Sequence, residues 1–375
     1  MTSDKRGVSK KKMPVSGLFL LSGTLGVSLI LLVNTDIAIG CMRHGLDVCA
    51  RTVIPSLFPF MVLSGLLVEL GAAEVMSPVF SAPMRFFFGI SGAGCASPVM
   101  GALCGFPVGA LTAIRLYEKK TIGKEELERL LVISGNPSSA FLISAVGTSL
   151  WSCPRFGVIL YVTHLISAFA IGAFLQLVCP LRPHVEKSKK KESRLPRISF
   201  RASLTRTVTD AAGSMLTVCA FVLFFAAVCG AMTGILEKFG VSQTVKSLIY
   251  GFFEMSGAVC EAAKITPQRT GLVVTALICG WSGLSVHFQV MSLCKDSSVS
   301  FMPYICGKAL QGVLSALAVL AYVSFAGEEI LQGSVPAAEF TEKTEVEPYA
   351  LIVCVLFLLS VVFCFAKKRK SKAQG

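Results

Sequence analysis

Two stretches of the chain put polar side chains where an apolar helix would otherwise continue. In "SGNPSSAF", residues 134–141, Gly135 and Pro137 break the backbone while Asn136, Ser138 and Ser139 supply donors and acceptors. In "CGWSGLSVHFQV", residues 279–290, Gly280 and Gly283 flank Trp281 and Ser282, and Ser285, His287 and Gln289 follow. Such groups suit recognition of a small polar ligand rather than bond making. At a helix break, free carbonyls face one way and the amides of the next half-helix the other, with a partial positive charge on the amide side. The competing reading of the first break is a proline kink whose serines cap the following half-helix.

In the second stretch, Ser285 and Gln289 are four apart, and Ser282 and Ser285 three apart, so all share a helix face. Trp281 suits either stacking on a planar ligand ring or anchoring at a membrane interface. His287 is a candidate for proton coupling, against hydrogen-bonded packing. Glu254, in "YGFFEMSGAVCEA", is a candidate for proton coupling or for hydrogen bonding to substrate, against a water-exposed place at a hairpin tip. In "GALCGFPVGALTA", residues 101–113, Gly105 and Gly109 allow close helix approach and Pro107 a bend, which suits a gate element. Asp47 and Asp210 lie on amphipathic stretches and are read as capping or interfacial groups. The "KKTIGKEELERL" segment is read as a solvated helix face supported by pairs such as Lys124 with Glu128.

No Walker A, G-x-S-x-G, H-E-x-x-H or C-x-x-C motif occurs, and the four histidines are far apart. No catalytic residue, metal site or cofactor is expected, and the chain is read as a non-enzyme. Its fourteen cysteines are scattered singly, as buried thiols filling space between helices.

The elements that must position these groups belong in a membrane. Of 375 residues, 53% are hydrophobic and only 15% charged, against about a quarter charged in soluble domains. The net charge of +13 is read as basic loops on one side of a bilayer, not as nucleic-acid binding. A helix needs about 20 apolar residues to cross. Candidates lie at 17–33, 52–70, 154–178, 216–235, 302–325 and 348–366, with interrupted ones at 129–150 and 270–293. Two glycine-rich segments, 92–114 and 247–263, are read as re-entrant hairpins. Five basic residues precede the first span, nine lie between Arg182 and Arg206, and a basic tail ends the chain, which places both termini in the cytoplasm. Six acids between Glu328 and Glu347 suit an external loop.

The halves echo each other: the Gly109-Ala110 and Gly257-Ala258 segments align, a broken run follows each, and a long span closes each. With the N-terminus inside, 52–70 runs inward and 216–235 outward, so the expected fold is an all-α polytopic inverted repeat. It has about eight transmembrane helices, two of them broken, plus two re-entrant hairpins. The divisions are a basic tail (1–14), an extra span (15–40), the first repeat (41–180), a basic linker (181–203), the inverted repeat (204–326), the acidic loop (327–347), the last span (348–366) and a basic tail (367–375).

The "RTVIPSLFPFMVLSGLL", "GFPVGA", "EELERLLVISGNPSSAFLISAVG" and "GLSVHFQV" segments resemble the sporulation integral membrane protein family of the YlbJ type, grouped with nucleoside-recognition (Gate) domain proteins. The resemblance runs from about residue 15 to 366. It implies two Gate domains, a fold similar to concentrative nucleoside transporters, and a place in the bacterial cell membrane. The second half departs from the pattern in lacking an asparagine-proline pair. The expected activity is secondary transport of a small polar, nucleoside-like metabolite between the broken helices, with a proton or sodium ion as the coupling ion. Lipid is the other expected contact. The alternative is a non-transporting scaffold for spore-envelope assembly. The sequence gives no oligomeric state.

Overall fold

Apolar residues long enough to span, punctuated by glycine and proline, fold into a bundle of helices. The computed structural model describes residues 15–181, 200–294, 296 and 298–326, and no strand occurs among them. The basic tails, most of the basic linker, the acidic loop and the final span expected at 348–366 lie outside the described residues.

The chain enters as α1 (Val15–Val33) and α2 (Thr35–Val48), continues through a π-helical turn (Cys49–Val53) into α3 (Ile54–Glu69), and returns as α4 (Ala72–Phe88). A short 3-10 turn leads to α5 (Ala96–Cys104) and α6 (Phe106–Glu118), then α7 (Lys124–Ser134). After a non-helical gap come a π-helix (Ala140–Leu150) and the long α8 (Pro154–Val178). The second half comprises α9 (Phe200–Lys238), α10 (Gln243–Phe253), α11 (Met255–Ala262), α12 (Gln268–Trp281), α13 (Gly283–Leu293) and α14 (Met302–Ala326).

By length and composition four helical stretches can cross a bilayer: α8, α9, α12 with α13, and α14; counting two bent pairs brings the number among the described residues to six. The expectation of an all-helical, polytopic membrane protein holds. Leucines 21, 25, 29 and 32 of α1 are exposed, as are Val158, Val162 and Ile166 of α8 and Val313 and Leu317 of α14, which suits contact with lipid tails.

Several elements differ in shape from the sequence expectation. The first span turns by 94° where α1 meets α2. The Thr35 hydroxyl there donates to the carbonyls of Leu31 (3.0 Å) and Leu32 (2.8 Å), which draws them from the regular ladder. Helix α4 was not foreseen, because Pro78 and Pro83 interrupt its apolar pattern. The span read at 216–235 is the C-terminal part of α9, a single 39-residue helix. The second break is milder than the first. Ser282 and Gly283 take left-handed backbone at φ 74° and 76°, yet the Ser282 amide still donates to the Ile278 carbonyl at 2.7 Å.

Glycines let helices touch backbone to backbone. A methyl on Gly280 of α12 would come within 2.4 Å of the Gly312 Cα of α14, and one on Gly109 of α6 within 2.6 Å of the Gly101 Cα of α5. The latter contact folds α5 back along α6 at Gly105, whose φ of 92° suits glycine. In the second half, the start of α10 meets the end of α11 through Gln243 Nε2, which donates to the Glu261 carbonyl at 2.9 Å.

Candidate functional site

The gap between α7 and the π-helix contains Gly135 to Ser139. Lipid cannot satisfy the polar groups of such a gap, so protein must. Helix α14 does so. Lys308 donates from Nζ to the Gly135 carbonyl at 2.5 Å and to Gln311 Oε1 at 2.7 Å. Gln311 in turn donates from Nε2 to Asn136 Oδ1 at 2.7 Å and to the His164 carbonyl of α8 at 3.0 Å. Asn136 closes the chain by donating to the Ile133 carbonyl at 2.8 Å. Lys308 and Asn136 are fully buried and Gln311 nearly so.

No carboxylate lies within ion-pairing distance of Lys308 among the described residues. Its compensation is the negative end of the α7 dipole, the Gln311 amide oxygen, and the face of Phe106, 5.5 Å away. A lysine held at membrane depth by dipoles alone is costly to keep charged. One turn further along α14, Ser315 and Ser167 of α8 are 3.3 Å apart.

Tyr304 joins this cluster to the second break. Its ring is 5.2 Å from the His287 ring and packs against Gly135, where a methyl would come within 3.0 Å of it. His287 Nδ1 faces the Gly283 carbonyl at 2.7 Å, so Nδ1 carries the hydrogen and a neutral ring leaves Nε2 as an acceptor. His287 Nε2 and Tyr304 Oη are both buried with no hydrogen-bond partner. His164 Nε2, on the α8 residue whose carbonyl accepts from Gln311, is likewise buried without a partner.

The other residues singled out from the sequence take the following places. Ser138 Oγ accepts from the Phe141 amide at 3.1 Å, the capping geometry, and Ser139 reaches the Leu103 carbonyl only at 3.5 Å. Pro137 is a buried part of the gap, and Pro107 opens α6. Gly105 lies against Ser138, while Gly283 lies against Glu254, so in each half a hairpin turn touches a helix break. Glu254 caps α11: Oε1 accepts from the Ser256 amide and Oε2 from the Gly257 amide, each at 2.7 Å. The Trp281 indole stacks on Phe252 at 5.8 Å, with its Nε1 on the Phe252 carbonyl at 3.1 Å, and His287 packs 4.3 Å from it. Ser282 bonds the Cys279 carbonyl at 3.0 Å, and Gln289 donates to Ser285 at 3.1 Å. No hydrogen bond joins Asn136 to Glu254 or to Gln289: Asn136 bonds to Ile133 and, across the halves, to Gln311, while Glu254 and Gln289 bond within the second half.

The "KKTIGKEELERL" segment is a solvated face only in part: Lys119, Lys120, Lys124 and Glu125 are exposed, but its inner charges are not. Glu126 and Arg129 are buried: Glu126 accepts from the Ser91 amide at 2.6 Å, and Arg129 donates to the Phe88 carbonyl (3.0 Å) and Gln176 Oε1 (2.5 Å). Glu128 accepts from the Ser300 amide at 2.7 Å instead of pairing with Lys124. Lys308, Gln311, Tyr304 and His164 were missed from the sequence. One signal was there: Lys308 is the only charged residue in the 25 of α14.

Fold and site together define an all-helical polytopic membrane protein whose buried polar core is built around a broken helix. The chain is 25% identical to the sporulation integral membrane protein YlbJ of Bacillus subtilis (strain 168) over 339 residues, covering 82% of each chain. That similarity bears out the resemblance to the YlbJ-type family. No protein-family profile matches the chain. No solved structure matches it.

Proposed function

We propose that this protein is a secondary transporter of a small polar, nucleoside-like metabolite in the bacterial cell membrane, acting in sporulation. The observation that carries the proposal is the buried chain Gly135–Lys308–Gln311–Asn136, which ties the break in one half of the sequence to the closing helix of the other. Two halves of inverted orientation, with Gate-type repeats like those of concentrative nucleoside transporters, would rock about this contact and open it alternately to each side. Both termini are then cytoplasmic. The matching hairpin-to-break contacts, Gly105 on Ser138 and Glu254 on Gly283, support a two-repeat design. The YlbJ relative supplies the sporulation context through its name.

Of the two coupling ions considered, the proton fits better than sodium. Carbonyls at the end of a half-helix are where transporters hold sodium, and here Lys308 already fills that place. His287, which reaches the cluster through the Tyr304 ring 5.2 Å away, is the group considered for the proton.

One observation favours the second reading, a non-transporting scaffold for spore-envelope assembly. Asn136, Lys308 and Gln311 satisfy one another within the closed core, which a rigid scaffold would also require. Proteoliposome uptake across a panel of nucleosides and other polar metabolites separates the two. Transport by the native protein, lost in Asn136→Ala and Gln311→Ala that still fold, supports the transporter. Absence of any uptake, with envelope assembly intact in cells carrying those variants, supports the scaffold.

A further inference from the structure

A second site lies away from the broken helices. Helices α3, α6, α9 and α13 enclose a half-open cavity of about 550 Å³. That is within the ~300–1,000 Å³ usual for small-molecule pockets. Three basic and three acidic side chains line it: Arg115, Lys119 and Arg206, with Glu69, Glu118 and Asp210. Two pairs form among them, Lys119 with Glu69 at 3.5 Å and Arg206 with Asp210 at 3.9 Å. Arg115 and Glu118 are left without an ion pair.

Arg115 is held for a purpose. Its Nη1 donates to the Met61 carbonyl at 3.2 Å, and the guanidinium lies on Gly65, where a methyl would come within 2.2 Å of Nη1. Its Nη2 is buried and has no acceptor. A buried guanidinium nitrogen without a partner costs stability, so a fixed one at a cavity wall calls for an acceptor from outside. A carboxylate matches its planar fork.

The rest of the wall accepts more than it donates. Thr209, Ser214, Thr217 and Ser292 give their hydroxyl hydrogens to the carbonyls of Thr205, Asp210, Gly213 and Gln289, leaving oxygen lone pairs for the cavity. With the Glu118 carboxylate, they ask for hydroxyl or amino donors on the ligand. We propose that this cavity binds a small hydroxy or amino acid, its carboxylate on Arg115 and its donors on the hydroxyl and Glu118 side. The inference does not rest on transport, since a scaffold could carry the same site.

The test measures binding to the full chain in detergent by calorimetry and thermal shift, with D-gluconate and L-serine as probes and sorbitol as the neutral control. Saturable binding of gluconate or serine is expected, without a response to sorbitol. Arg115→Gln should weaken it at least about tenfold, since hydrogen bonds to a charged group contribute on the order of 1.5–3 kcal/mol. Gly65→Ala, which displaces the guanidinium but keeps its charge, provides a second variant should Arg115→Gln fold poorly; it should weaken binding likewise. Glu118→Gln should weaken serine more than gluconate. The proposal is overturned if neither acid binds, if sorbitol acts as gluconate does, or if folded Arg115→Gln or Gly65→Ala binds like native protein.

Discussion

The Lys308 ammonium lies 2.5 Å from the carbonyl oxygen of Gly135, 173 positions earlier in the chain. It therefore closes the C-terminal end of α7 with a charge that cannot diffuse away. Replacing it by alanine leaves the Gly135 carbonyl and Gln311 Oε1 as two facing acceptors, each orphan costing about 1–3 kcal/mol. Lys308→Ala should unfold at lower temperature in choline chloride and recover in sodium chloride, while the native protein responds equally to both salts. A native protein that itself needs sodium for stability would refute the fixed-cation reading.

Asn136 and Gln311 share a 2.7 Å bond across the two halves. Asn136→Ala and Gln311→Ala should each destabilise by about 1–3 kcal/mol, because the partner is left unsatisfied in a buried place. The double variant should cost about 1 kcal/mol less than the sum of the singles. Strict additivity in denaturant or thermal unfolding would mean that the bond contributes nothing.

Glu254 accepts two amides at the start of α11. Glu254→Ala should cost about 1–2 kcal/mol, in the range of lost helix caps, and Glu254→Gln less, because one acceptor oxygen remains. Reconstituted uptake tells capping from proton coupling. If Glu254→Gln folds and transports with the native pH dependence, the cap is its whole role; if the pH dependence disappears, Glu254 carries the proton.

Asp296, in the loop between α13 and α14, accepts from Tyr117 Oη at 2.6 Å and from the Ser298 amide at 2.8 Å. The Tyr117 bond foremost holds its carboxyl down at about 2, against an ordinary value near 4. A depressed carboxyl stabilises the fold above its ordinary value, and that contribution is lost as pH falls through the folded one. The difference in unfolding temperature between native and Tyr117→Phe should thus be constant above about pH 4 and shrink toward pH 2. A gap that does not change with pH would show that the bond acts without the charge.

The first break was legible because asparagine and proline have no reason to interrupt a lipid-facing helix. Its partners were not, because Lys308 and Gln311 stand in "GKALQGVLSA", an apolar run whose register against α7 is set by packing that no local pattern encodes. The glycines Gly105 and Gly109 were read as close-approach positions; Gly109 does meet the backbone of Gly101, and Gly105 lies against Ser138. Glu126 and Arg129 misled because charge was taken for exposure; buried carbonyls and Ser91 supply their partners instead. Trp281 was offered to a ligand, but Phe252 already occupies one ring face. The second break was read as the counterpart of the first, though without its asparagine-proline pair. One left-handed serine-glycine step preserves most of its ladder, and that distinction is a matter of backbone angle, not of residue type.

Helix α9 runs 39 residues without a break, about 58 Å at 1.5 Å per residue, roughly twice a hydrocarbon core. It is the longest unbroken element among the described residues and offers no joint at which to bend. It packs along α1, α2 and α3 of the first half and against α10 and α13 of the second. Distances measured between probes along its own length should stay constant in every condition, and displacements of the other helices are best referred to it.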